Sequence, residues 1–225
     1  MRLFSPLQFG DLTRTQPVSS VFGLERGTPI DRYYIDKFLS AYAEAITGSA
    51  LEVGELRYLR MFGERATRKC ILAPSLEIVK PGRGIDEVVI GDLTNASMLP
   101  KERFDCFVCT QTLNFIYDVK AAVAGAHRLL SPGGIFVGTV SGISQISRYD
   151  MDRWGDYWRF TTLSLRRSIG EVFGESVVVE SYGNALAAQF FLQGVAVEDL
   201  PDCSLLDRRD DDYQVTIGFY AEKKS

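Results

Sequence analysis

Phe104–Leu113 reads FDCFVCTQTL, and Arg128–Val140 reads RLLSPGGIFVGTV. The first is an apolar run that ends in small polar residues, the pattern of a buried strand. The second is the tail of an amphipathic helix, a Ser-Pro-Gly-Gly turn and another apolar strand. With the helix predicted over Val119–Leu130, these pieces form a strand, a crossover helix and a parallel strand. Ligands of such open α/β sheets sit at the carboxyl ends of the strands.

The same alternation extends both ways from this unit. Ala50–Gly54 reads as a first strand with a brief helix near Leu56–Gly63, Ser75–Val79 as a second strand and Glu87–Ile90 as a third. Phe104–Thr110 is then the fourth strand and Ile135–Val140 the fifth. A helix over Leu163–Phe173, a strand over Ser176–Glu180, a helix over Asn184–Val195 and a last strand over Tyr213–Ala221 complete the pattern. This is the signature of a doubly wound α/β sheet with helices on both faces. Upstream, residues 1–28 read as an irregular arm. Apolar or aromatic residues at 30, 34, 35, 38, 39, 42 and 46 predict an amphipathic helix from Pro29, capped by Thr28 or Asp31, to Thr47–Gly48. Residues 1–47 are thus expected to be an arm and helical cap, and residues 48–225 the main domain.

Composition sets outer limits. The 225 residues are 46% hydrophobic, enough for a real core, and the net charge is −4 with no long Lys/Arg block, which argues against a nucleic-acid partner. No apolar run approaches the about 20 residues needed to span a bilayer, and the N-terminus does not read as a signal peptide, so a cytoplasmic protein without a membrane partner is expected. Cys106 and Cys109 form a C-x-x-C on a predicted strand, where they point to opposite faces. With His127 the only histidine, no metal site is expected.

The candidate site residues lie at strand ends. LEVG at 51–54 places Glu52 one residue from the end of the first strand and Gly54 at the turn, where a glycine lets the backbone bend sharply toward a ligand. The later glycines of a G-x-G-x-x-G are absent, which disfavours a nicotinamide-dependent enzyme. Asp92, in IGDL, ends the third strand, and Thr110-Gln111-Thr112 ends the fourth. An acid and small polar groups along one sheet edge could hydrogen-bond a ribose or purine; Asp92 could equally cap a short helix.

The order LEVG, GDL, FDCFVCTQTL, RLLSPGGIF resembles a class I S-adenosylmethionine-dependent methyltransferase, over roughly residues 48–140 as the core. The flanks FGLERGTPIDRYYIDKFL and WGDYWRFT resemble a bacterial subgroup found with glycosyltransferase or sugar-modification proteins. The resemblance implies a Rossmann-like sheet of seven strands with the last antiparallel, to which the residues upstream would add an N-terminal helical lid. It also implies S-adenosylmethionine as cofactor. Residue by residue, Glu52 and Gly54 match the acid and first glycine of the cofactor turn, Asp92 the residue near the adenine, and Thr110 and Gln111 the strand end near the methionine portion. The ribose-binding acid falls at the end of strand two, where Glu77 is the nearest candidate.

Methyl transfer from a sulfonium asks the protein to align an acceptor and, for a hydroxyl, to supply a base. SRYDMDRWGDYWRFT offers Asp150, Asp152 and Asp156 as bases and Tyr157, Trp158 and Arg159 as wall and polar clamp; Asp156, Asp152 and Arg159 are the leading set. A buried stripe of Trp154 and Trp158 with solvated acids is the competing reading. Arg26, Asp31, Arg32, Tyr33 and Tyr34 are dense enough to form a lid over the cofactor. O-methylation of a sugar, glycan or other small polar acceptor is the expected function. The alternative is a non-catalytic binding module that partners a glycosyltransferase. Asn184–Val195, apolar on most faces, is either a homodimer surface or buried.

Overall fold

β1 (Gly48–Val53) and β4 (Phe104–Thr110) lie at the middle of the sheet, and their side chains are buried on both faces. The computed structural model describes residues 14–79 and 82–224. In chain order the strands continue with β2 (Ala66–Ala73), β3 (Glu87–Ile90), β5 (Leu130–Ser141), β6 (Val177–Tyr182) and β7 (Thr216–Glu222). They form one seven-stranded sheet in the order β3-β2-β1-β4-β5-β7-β6. β1 to β5 pair in parallel, and β7 runs antiparallel between β5 and β6. This is the Rossmann-like, doubly wound sheet with an inserted antiparallel strand that the sequence led us to expect.

The helices are α1 (Ile30–Ala41), α2 (Tyr58–Phe62), α3 (Val119–Leu129), α4 (Arg148–Met151), α5 (Thr162–Phe173) and α6 (Ala185–Gln193). Strand periodicity of two divides the core. Leu51, Cys70, Leu72, Phe107 and Cys109 face α3 and α5, while Ala50, Ile71, Ala73, Cys106 and Val108 face α1 and α6. The C-x-x-C therefore splits between the two faces as expected, and burial pushes each thiol up to about 12.

Four helix starts carry side-chain caps, Ser147 capping α4 through the Asp150 amide. Asp118 accepts from the Ala121 amide at 2.9 Å, Asn184 from the Ala187 amide at 2.9 Å, and Thr161 and Ser164 form a reciprocal capping box. α1 starts differently. Pro29 itself occupies the cap position, and Thr28 is drawn away to Glu198, its hydroxyl donating at 2.7 Å. α1 is also shorter than its apolar pattern suggests, giving way after Ala41 to a single tight turn over Ala43–Ala45. Ile30, Tyr34, Ile35, Phe38 and Leu39 are fully buried, so α1 is a layer of the core on its face of the sheet. Gly218 on β7 makes room for it, because any side chain there would collide with the Phe38 ring.

The second strand differs most from expectation. It runs over Ala66–Ala73, and the apolar LEIV at 76–79 contributes only a 3-10 turn, Leu76–Ile78. Only CILA, the second half of β2, is fully buried; its first half, ATRK, lies at the sheet margin and carries charges. Pro74 follows directly and has no N–H to continue the ladder. Glu77 accordingly sits in the turn beyond β2 and not at its end.

Candidate functional site at the carboxyl edge of the sheet

The loops leaving β1, β2, β3, β4 and β5 meet along one edge and enclose adjoining cavities of about 500 and 520 Å³. The first opens at Gly54 after β1, Ala73 and Pro74 after β2, Gly91 and Asp92 after β3, and Thr112 after β4. Its far wall is Ile116, Tyr117, Trp154 and Tyr157. The second lies between Glu52, Thr110 and Ser141 on the strand side and Ser20–Phe22, Asp31 and Arg32 on the arm side. Val53, Gln111, Phe115 and Asp150 border both.

The β1 turn is built by Glu52 and Gly54. Gly54 has φ +76°, its amide donates to the Leu72 carbonyl at 2.9 Å, and a Cβ added to it would meet nothing within 4 Å. The backbone is thus bare toward the first cavity, as an approaching ligand requires. Glu52 turns the other way. Its carboxylate accepts the amides of Tyr58, at 2.9 and 3.1 Å, and Leu59, at 2.9 Å, fixing the start of α2 and the loop between. Burial lifts its carboxyl to about 7 against the lowering effect of those amides. Glu52 lines the second cavity while bracing the turn.

Gln111 carries backbone strain at the junction. Its φ is +47°, uncommon for a residue with a side chain. Its Oε1 accepts from Asn114 Nδ2 at 3.0 Å and from Ser141 Oγ at 2.8 Å, and its Nε2 is buried with no protein partner. Asn114 returns a bond, its Oδ1 accepting the Ser141 amide at 3.1 Å. Asn114 and Ser141 did not emerge from the sequence, although Ser141 ends β5 and Asn114 follows the end of β4, the positions where the open-sheet rule looks for ligand contacts.

The SRYDMDRWGDYWRFT segment separates its three acids. Asp156 has an almost fully buried side chain and is held by both guanidinium nitrogens of Arg159, at 2.6 and 2.9 Å, and by the Ser147 amide at 2.9 Å. Arg159 also donates to the Gln145 carbonyl at 2.6 Å, so the pair ties the loop after β5 together. Asp152 is exposed and lines neither cavity. Asp150 lines both cavities, with Ser147 Oγ donating to it at 2.6 Å and Trp154 Nε1 at 3.1 Å. Trp158 donates to the carbonyls of Ile116 and Tyr117 and stacks on Tyr117, whereas Trp154 and Tyr157 line the first cavity.

Of the other sequence candidates, Asp92 lines the first cavity with its carboxylate accepting the Thr94 amide at 2.8 Å, so it borders the cavity and shapes a turn at once. Thr110 lines the second and Gln111 both, whereas Glu77 lines neither. Among the arm residues, Asp31 and Arg32 reach the second cavity, Tyr34 is core, and Tyr33 and Arg26 are tied to Asp207 and Asp199. Ser20, Val21 and Phe22 wall the same cavity, and Gln145 Nε2 donates to the Ser20 carbonyl at 3.0 Å across its mouth. No helix among the described residues is long and apolar enough to cross a membrane.

An adenosyl cofactor fits these residues. The bare Gly54 turn and the Asp92 carboxylate border the first cavity, and the unpartnered Gln111 donor borders both. Residues 48–138 match the family model described as a methyltransferase domain. Solved structures share the fold at low identity. A phosphoethanolamine N-methyltransferase 2 from Haemonchus contortus superposes with a TM-score of 0.59 at 14% identity, over 98% of this chain and 61% of that one. An S-adenosylmethionine-dependent methyltransferase from Mesorhizobium loti gives 0.56 at 17%, over 89% and 100%. A Thermotoga maritima protein described as a possible histamine N-methyltransferase gives 0.54 at 18%, over 85% and 92%. No curated protein sequence matches the chain. Residues 48–138 are thus similar to a methyltransferase domain, and the sheet they anchor has the fold of these solved methyltransferases.

Proposed function

We propose that the protein transfers a methyl group from S-adenosylmethionine to a hydroxyl of a sugar, glycan or other small polar acceptor. The observation that carries this reading is the junction itself. A cavity bordered by Gly54 and Asp92 opens into a second, polar one, and Val53, Gln111, Phe115 and Asp150 border both.

When bound, the cofactor supplies an electrophilic methyl on a leaving sulfonium, so the chain has only to hold, orient and deprotonate. Gly54 leaves room for the adenosyl portion, and Asp92 presents a carboxylate to it. Thr110 and Gln111 border the passage between the cavities. Asp150 stands there with a carboxylate held by Ser147 and Trp154, in place to receive the acceptor proton. Asp156 and Arg159 hold the loop that carries Asp150, a positioning contribution.

The acceptor class is drawn from the flanking segments. PIDRYYIDKFL and WGDYWRFT resemble the sugar-modification subgroup, and each sends residues to the second cavity: Asp31 and Arg32 from the former, Asp156 and Arg159 from the latter. A glycosyltransferase as partner is consistent with that setting. Calorimetry with S-adenosylhomocysteine tests the basis directly, with a dissociation constant in the micromolar range expected. Neither heat nor a thermal shift would reject the proposal. Binding without S-adenosylhomocysteine production from S-adenosylmethionine in the presence of cell extract would point to a non-catalytic module.

A further inference from the structure

The charges around the second cavity are unevenly satisfied. Four arginines line it: Arg32, Arg57, Arg148 and Arg159. Arg159 is neutralised by Asp156, and Arg32 donates to Tyr58 Oη at 2.5 Å with Asp31 beside it. The acids Glu52, Asp150 and Asp156 on the same wall have internal donors, namely the α2 amides, Ser147 with Trp154, and Arg159. Arg57 and Arg148 form no ion pair among the described residues. Arg57 has the Tyr58 ring, 5.6 Å from its guanidinium carbon, and its charge favours the ionised forms of Asp31 and Asp36 without a direct pair, whereas the Arg148 guanidinium has no hydrogen-bond partner among the described residues.

Two guanidiniums without ion pairs, on a cavity where Glu52, Asp150 and Asp156 are already engaged, form a site for an oxyanion. Guanidinium matches carboxylate and phosphate geometry through paired N–H donors. We propose that the acceptor carries an anionic group, carboxylate or phosphate, that Arg57 and Arg148 receive, so that acidic sugars are selected over neutral ones. This rests on the methyltransferase reading and specifies its acceptor.

The test is calorimetric titration of the protein saturated with S-adenosylhomocysteine, using glucuronate, glucose 6-phosphate and glucose as probes. At least one anion is expected to bind 10-fold or more tighter than glucose, more weakly as salt is raised, and the better of the two names the carboxylate or the phosphate. Arg57→Gln and Arg148→Gln should each lower that affinity about 10-fold while the S-adenosylhomocysteine affinity stays within 2-fold. Equal affinities, no saturable binding of either anion, or unchanged binding in Arg148→Gln would overturn the proposal. So would a 10-fold loss of S-adenosylhomocysteine binding in Arg57→Gln, which would assign that guanidinium to the cofactor's own carboxylate. Failure of the parent protein to bind S-adenosylhomocysteine is a separate result and would remove the methyltransferase reading itself.

Discussion

The Glu52 carboxylate, buried on β1, closes the turn after the strand by accepting the Tyr58 amide with both of its oxygens, at 2.9 and 3.1 Å. Burial raises its carboxyl from 4.5 to about 7, so the folded protein holds a proton there that the unfolded chain releases. The sign follows from linkage. The associated stability is complete below about 4.5 and is lost as the pH rises through about 7, a change on the order of 3 kcal/mol. Urea melts at pH 5 and pH 8 should show the parent losing stability across that interval and Glu52→Gln losing measurably less. Equal losses in the two proteins would show that Glu52 does not titrate there.

Gly54 sits at φ +76° with open space where a side chain would go. Gly54→Val forces a β-branched residue into a left-handed conformation, costing about 1–3 kcal/mol, and fills the ligand side of the turn. The variant should keep its far-UV dichroism and melt cooperatively at a lower temperature, while S-adenosylhomocysteine binding falls at least 100-fold. A folded variant with parental affinity would displace the cofactor from this turn.

The order of strands and helices was readable because buried parallel strands are apolar throughout and their crossover helices keep a 3.6-residue period. β2 escaped because half of it, ATRK, lies at the charged sheet margin, while LEIV nearby carries the apolar content without the ladder. Of the candidates read at strand ends, Gly54, Asp92, Thr110 and Gln111 all border the cavities. It was not legible where function depends on side-chain direction. Sequence alone could not say that Glu52 turns back onto α2, or that Asp150 reaches the junction while Asp156 is taken by Arg159. Nor does any short-range pattern bring Gln111, Asn114 and Ser141 together, because that cluster spans separate strand ends.

Asp156 and Arg159 form a two-bonded ion pair with the carboxylate almost wholly buried. Asp156→Asn removes the charge and leaves the guanidinium uncompensated, which costs about 2–4 kcal/mol. Because the pair tethers the loop after β5 through Ser147 and Gln145, the expected outcome is a lower melting temperature and a raised KM for the acceptor. The pH dependence of kcat should keep its parental midpoint. A shifted or abolished acidic limb in Asp156→Asn would make Asp156 the proton acceptor and displace Asp150 from that role.

Asp150 differs from Asp156 in lacking a cationic partner among the described residues and in bordering both cavities. Its oxygens are oriented by neutral donors, the Ser147 hydroxyl and the Trp154 indole, which hold a carboxylate in place without neutralising it. Asp150→Asn keeps the side chain's shape, its Oδ1 still able to accept from Trp154 while its Nδ2 faces Ser147 as a donor, and removes the capacity to take a proton. General-base loss typically lowers turnover about 10²–10⁴-fold. The variant should therefore show a kcat reduced within that range, S-adenosylhomocysteine affinity within 3-fold of the parent, and little change in acceptor KM. Turnover within 3-fold of the parent would exclude Asp150 as the base and direct attention to an acceptor that reaches the site already deprotonated.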